Sequence, residues 1–280
     1  MFVAGFHITA FGEGGDRDSR QPFLAVVESS PWHSNFRPAE VMLVAYSNGE
    51  VVTAVPPVSD AGGDDAVNSY KLSRIETAQL DRFRSLALKA AGELKANTFV
   101  SLAEGRTDAP EFRVWLSVGE AKSVMWFSGR TMLEDWPLEE FEAVLHDGEH
   151  VGKAPVSAVD FLTALRSVAK QEGMPWHPPE TAICVFPSTA AKNARSWPDD
   201  IPPLIELAPL AETESVYETQ RPAPVRIGSL AGRYNEKVRP FLEARFPIRV
   251  SESESVLAIP RFPGDTLWWP EVKSSVLGQE

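Results

Sequence analysis

Val41-Met42-Leu43-Val44-Ala45-Tyr46-Ser47 and Glu50-Val51-Val52-Thr53-Ala54-Val55, on either side of Asn48-Gly49, decide the fold class. Asn-Gly tolerates the positive φ angles of a type I′ turn, and the flanking runs are apolar and β-branched. The stretch therefore predicts a β-hairpin. Apolar residues occupy both faces of its first strand, which places that strand inside a sheet. Pro56-Pro57 ends the second strand. A second hairpin is predicted over 111–117 and 121–127, across Val118-Gly119-Glu120. There Phe112, Val114 and Leu116 alternate with Arg113, Trp115 and Ser117.

Working outward, residues 2–9 and 22–28 read as short strands separated by a polar loop over 12–18, and residues 70–75 as another. Leu80, Phe83, Leu86 or Ala87, Ala90 and Leu94 recur at helical spacing and predict a helix from Thr77, its N-cap, to about Ala96. Pro137 opens a predicted short helix with the stripe Leu138, Phe141, Val144 and Leu145, stopped by Asp147-Gly148. A helix over Ser157–Gln171 has Ser157 and Asp160 as an approximate capping box and Phe161, Leu162, Leu165 and Val168 as its buried face. Residues 182–186 read as a strand. The proline-rich segment 196–224 reads as a linker or lid. Ser229 caps a helix that Pro240 kinks, strands near 247–251 and 255–259 close the fold, and Trp268-Trp269 fall in the tail.

This order is not the strict strand–helix alternation of a doubly wound sheet. It predicts an α+β fold with mainly antiparallel pairing and about four helices. Two lobes are expected, 1–150 with both hairpins and 151–280 with the proline-rich segment, or one large domain. The 280 residues, 43% hydrophobic and 24% charged, suit a globular chain and exclude collagen-like, coiled-coil and wholly disordered classes. The first residues carry no positive n-region, and their apolar run is broken by Gly5 and His7. No stretch approaches the ~18 apolar residues of a membrane span. With Cys184 as the lone cysteine, the expectation is a cytoplasmic protein without disulfides and without membrane association.

Motifs of catalysis are sparse. His146-Asp147-Gly148-Glu149-His150 matches the H-x-x-E-H string of inverted zinc peptidases, which needs both imidazoles on one helical face. Gly148 would unwind that helix and part His146 from His150, so no metal and no cofactor is expected. Glu120-Ala121-Lys122 and Glu271-Val272-Lys273 resemble nuclease strings. Asp108, upstream of the first, stands at the open end of its predicted hairpin, roughly 30 Å from Glu120 by strand rise. Asp265 is close before the second. Cys184 lies mid-strand between Ile183 and Val185 and reads as a buried, inert thiol.

Charge is distributed less evenly. The chain carries 39 acidic and 27 basic residues, net −12, which opposes a phosphate-binding carpet over the whole surface. Residues 134–149 hold Glu134, Asp135, Glu139, Glu140, Glu142, Asp147 and Glu149 without a Lys or Arg. Residues 221–249 hold Arg221, Arg226, Arg233, Lys237, Arg239, Arg245 and Arg249. Several tryptophans, Trp268 and Trp269 among them, lie by prolines, turns or the tail, where an exposed aromatic can anchor a partner. The expectation is a non-catalytic macromolecule-binding protein, a neutraliser or a subunit of a larger assembly. Glu139, Glu140, Glu142, Trp268, Trp269, Arg233, Lys237 and Arg239 are the expected contacts, and the expected partner is a protein with a basic surface. The competing readings are a metal-dependent hydrolase or nuclease with 221–249 as its substrate track, and a nucleic-acid-binding module using the same segment.

Overall fold

The computed structural model describes residues 20–29, 39–55, 69–95, 98–102, 110–119, 121–130, 132, 143–148, 150–187, 194–208, 211–215, 223–242, 247–270 and 272. At its centre is the Asn48-Gly49 hairpin, with β2 (Glu40–Tyr46) and β3 (Glu50–Val55) paired through Leu43–Thr53, Val44–Val52 and Ala45–Val51. Gly49 has φ +86°, and its carbonyl accepts the Ile75 N–H at 2.9 Å. A Cβ at Gly49 would lie 2.8 Å from the Ile75 carbonyl oxygen, so backbone angle and close approach both demand glycine there.

The hairpin sits inside a ten-stranded sheet. On one side of it stand β4 (Ser69–Arg74) and then β10 (Met174–Trp176). On the other stand β1 (Pro22–Ser29), β6 (Glu111–Val118), β7 (Ala121–Ser128), β5 (Thr98–Ser101), β8 (Val144–Asp147) and β9 (His150–Lys153), in that order. The named pairs are antiparallel except β5 and β7, which run parallel. The second hairpin turns more tightly than expected. Val118 already pairs with Ala121, and Gly119 after it has φ +61°.

Helices α1 (Thr77–Glu93) and α2 (Val156–Ala169) cover one face of this sheet. Leu80, Phe83, Ala87 and Ala90 of α1 meet Phe161, Leu162, Leu165 and Val168 of α2 over Leu24, Val26, Val114, Leu116 and Phe127. Neither helix is capped as the sequence suggested. Glu76 precedes α1 and Pro155 precedes α2, both without a side-chain cap bond. The Ser157 hydroxyl instead donates to Glu93 Oε2 at 2.6 Å, tying α2 to α1.

The chain passes to a second sheet between Trp176 and Glu180. Its order is β12 (Ala211–Ser215), β13 (Ala223–Ala231), β11 (Glu180–Pro187), β15 (Glu254–Arg261), β14 (Ile248–Arg249), all antiparallel. Ala25, Val27, Val44, Tyr46 and Val52 from the first sheet pack against Ala182, Cys184, Leu257 and Ile259 from the second. The far face of the second sheet carries α3 (Leu204–Leu207) and α4 (Asn235–Leu242), with Ile201, Leu204, Val238 and Phe241 buried against Ile183, Val185 and Val256. The protein is an α+β fold with mostly antiparallel sheets and, among the described residues, four α-helices, layered helix, sheet, sheet, helix. No helix among the described residues is long and apolar enough to cross a membrane.

Three sequence expectations give way here. The proline-rich segment is not a free linker. The Trp197 ring lies 5.4 Å from that of Phe241, α3 docks on β13, and a Cβ on Gly228 of β13 would fall 1.9 Å from the Leu207 carbonyl oxygen. Ser229 belongs to β13, with its hydroxyl on Glu180. The following helix begins with a three-ten turn at Gly232–Tyr234, and Pro240 lies inside α4. Val144 and Leu145 belong to strand β8 and not to a helix, because backbone pairing with β5 and β9 outweighs a four-residue apolar stripe. The remainder of that expected helix lies outside the described residues.

One buried group gives a test of the interior. The Tyr46 hydroxyl finds no hydrogen-bond partner among the described residues, and burial raises its ionisation far above the ordinary tyrosine range. The folded state thus keeps its proton where the unfolded state releases it. Stability is intact below about pH 10 and falls by about 1.4 kcal/mol per further pH unit for this residue. Tyr46→Phe should leave stability at neutral pH unchanged or slightly higher, and should make the alkaline fall shallower. Urea titrations at neutral and alkaline pH check both outcomes.

Candidate functional site

The second sheet covers only part of the first. Its core draws on β1, β2, β3, β4, β6 and β10, and among the described residues takes nothing from β7, β5, β8 or β9. Alternation decides what that open end displays. Along β6 the buried residues Phe112, Val114 and Leu116 face the helices, so Arg113 and Trp115 face the other way. Along β7, Met125 and Phe127 are buried, so Val124 and Trp126 share the opposite face.

Register lines these side chains up across five strands. Arg113 pairs with Trp126, Trp126 with Phe99, Phe99 with His146, and His146 with Val151. The Arg113 guanidinium carbon lies 5.4 Å from the Trp126 ring centre. Phe99 sits 5.4 Å from Trp126, tilted by 42°, and stacks on the His146 ring at 4.4 Å and 3°. Glu111 Oε2 accepts the Trp126 indole N–H at 3.1 Å, which satisfies its polar edge and fixes the ring. Such contacts are worth about 0.5–1.5 kcal/mol each, enough to hold the row in place without a partner. The rings are half-buried, whereas Val124 beside them is 43% exposed and Val151 at the end 66% exposed. In the other direction the row continues through Val27, which is buried beneath the second sheet. It is a single aromatic and cationic ladder that runs from the core onto a part of the sheet face that, among the described residues, the second sheet does not cover.

The residues singled out from sequence are distributed differently. Glu139, Glu140 and Glu142 lie outside the described residues. So do Asp108, Glu120, Glu271 and Lys273. His146 and His150 flank a hairpin turn at Gly148, φ +61°, and not a helix end. His146 faces Val151 while His150 faces Asp147, so the two imidazoles leave opposite faces of the hairpin and cannot share an ion. Among the described residues no three His, Cys, Asp or Glu side chains gather to hold a metal. Trp268 is 1% exposed, inside the core between the sheets. Trp269 is half-buried beneath Arg261, whose guanidinium carbon lies 3.9 Å from its ring. Arg261 in turn donates to Asp265 Oδ1 at 2.8 Å.

Arg233, Lys237 and Arg239 are exposed around α4, but they are engaged locally. Lys237 bonds Asp200, Arg239 bonds Glu236, and Arg233 and Lys237 both sit over the Tyr234 ring. The hydrogen bond from Lys237 holds the Asp200 carboxyl below its usual range. Arg226 is tied to Glu254 and to the Ala208 carbonyl. These carboxylates come from the same half of the chain and not from 134–149. Trp126, Phe99 and Arg113 carry the ladder without a sequence motif. Only the alternation along β6 hinted that Arg113 and Trp115 share the face opposite its buried residues.

No family model, no curated protein and no solved structure matches this chain.

Proposed function

We propose that this protein works by binding another protein, without chemistry of its own, and that the open end of its first sheet is the contact surface. The observation that supports this most directly is the Arg113–Trp126–Phe99–His146 ladder, preassembled on a face that the second sheet leaves uncovered. Rigid aromatic area of this kind supplies binding energy at little entropic cost.

Charge favours a basic segment as the partner. The connection from β7 to β8, the strands carrying Trp126 and His146, contains Glu134, Asp135, Glu139, Glu140 and Glu142. A Lys- or Arg-rich stretch suits a chain that combines this acidic connecting sequence with aromatic faces, and Arg113 already makes the cation–π contact in cis. The net charge of −12 raises the encounter rate for such a partner and opposes nucleic acid. The proposal includes a cytoplasmic setting, where a lone thiol such as Cys184 stays reduced.

The experiment titrates an arginine-rich peptide, an acidic peptide and a single-stranded oligonucleotide into the full chain, read by tryptophan fluorescence. The basic peptide should bind. Trp126→Ala should weaken it about 30-fold, the effect of losing an interface hot spot, and Trp126→Phe should restore most of the loss. Glu139→Lys, Glu140→Lys and Glu142→Lys together should slow association and flatten its salt dependence. Equal binding by these variants, or tighter binding of the oligonucleotide, would refute the proposal.

A further inference from the structure

We propose that the basic partner docks as an extended antiparallel strand on the free edge of the first sheet, along β9, and sets an arginine at the end of the aromatic row. This rests on the reading above and adds to it how the partner is held. β9 is the last strand of the ten, and His150, Val151, Gly152 and Lys153 are all exposed. Val151 is 66% exposed, and a Cβ on Gly152 would meet nothing within 4 Å. The opposite edge is less suited to pairing, because β10 has three residues and Pro175 in their middle brings no N–H.

The phase of the β8–β9 pairing decides which backbone groups the edge presents. The Ala154 N–H donates to the Ala143 carbonyl at 2.9 Å, and bonded and non-bonded pairs alternate from there. Leu145–Gly152 and Asp147–His150 are thus bonded pairs. Val151 and Lys153 belong to the pairs between, so their N–H and C=O groups are directed away from β8. Two donors and two acceptors therefore stand along the edge at the spacing an added strand requires. Side chains follow the same register. The row Arg113, Trp126, Phe99, His146, Val151 ends at this edge, so the residue opposite Val151 on an added strand takes the next rung on the same face. One end of the row is already covered by the Arg113 guanidinium over Trp126. An arginine on the new rung is long enough to cross the short Val151 side chain and meet the His146 ring, whose other face Phe99 covers. Lys153 shares that face with Val151, and its charge opposes a second cation directly across from it.

The probe is a peptide of alternating arginine and threonine, titrated into the full chain as the parent and in two forms, N-methylated on every arginine or on every threonine. The parent should bind and should slow hydrogen exchange at the Val151 and Lys153 amides, while those of His150 and Gly152, already bonded to β8, change little. Methylation of the arginine amides, which face β9 in this register, should abolish binding. Methylation of the threonine amides, which face solvent, should leave it within about twofold of the parent. Lys153→Glu should tighten the parent about fivefold by turning a like charge across the pair into an unlike one. If the parent binds and Trp126→Ala weakens it, yet both methylated forms bind alike and neither amide gains protection, the ladder is the contact and the edge is not, and this inference alone falls. Absence of binding by the parent would remove both readings. Protection of Val151 and Lys153 in the peptide-free chain, together with the mass of a dimer, would assign the edge to a second copy and overturn the proposal.

Discussion

Trp268→Ala should lower the free energy of unfolding by about 3–5 kcal/mol, the cost of emptying a large aromatic site in a packed interior. Trp268 is buried with Ala25, Val27, Val44 and Tyr46 of the first sheet and Cys184, Leu257 and Ile259 of the second, so its indole is shared between both layers. The local backbone is built to put it there. Gly264 has φ +72° and packs on Pro22 at the start of β1, and Asp265 is clamped by Arg261. The Trp268 N–H then bonds the Asp265 carbonyl at 3.2 Å. Urea denaturation gives the midpoint and slope. A Trp268→Ala protein with unchanged stability but weakened binding of the basic peptide would show that this tryptophan works on the surface, and would remove it from the joint between the sheets.

Phe161→Ala should cost a similar amount, about 3–5 kcal/mol, but in the helix layer. Phe161 is fully buried and stacks on Phe83 at 5.9 Å and 14°, and Phe83 meets Phe23 edge-on at 6.0 Å. These three rings join α2, α1 and β1. The two substitutions together test how the chain divides. If 151–280 is a lobe that unfolds by itself, Phe161→Ala should speed hydrogen exchange in β11 and β15 and spare β2 and β3. If the layers are the units, the opposite pattern follows, since α2 packs on the first sheet. A single fully cooperative molecule would lose protection in both sheets alike, with coincident transitions by fluorescence and circular dichroism.

Local signals in the sequence carried through to the structure. The Asn48-Gly49 turn and the alternation over 111–118 each concern residues within one hairpin, and both hairpins form. The apolar stripe of α2 also survives, because its spacing and its burial have the same cause. Apart from the local Thr77 and Ser157 caps, what failed depended on contacts between distant segments. Val144 and Leu145 fit a helical stripe until β5, more than forty residues upstream, offers them a backbone ladder. Gly228-Ser229 resembles a helix entry, yet Gly228 is needed for the approach of Leu207 across the second sheet. Trp268 looked terminal and exposed because nothing near it in sequence reveals the cavity that two sheets make for it. The ladder was the least legible feature, since Arg113, Trp126, Phe99 and His146 come from strands whose order in space, β6-β7-β5-β8, is not their order in the chain.

Cys184 lies fully buried in the β11 strand, facing the first sheet, and is the single cysteine in the sequence. A thiol-reactive dye can reach its Sγ only when the two β layers part. The rate of labelling in native buffer is therefore a clock for that separation, with no engineered probe and no second thiol to confuse the count. A ligand that clamps the layers would slow the clock, and a denaturing variant would quicken it.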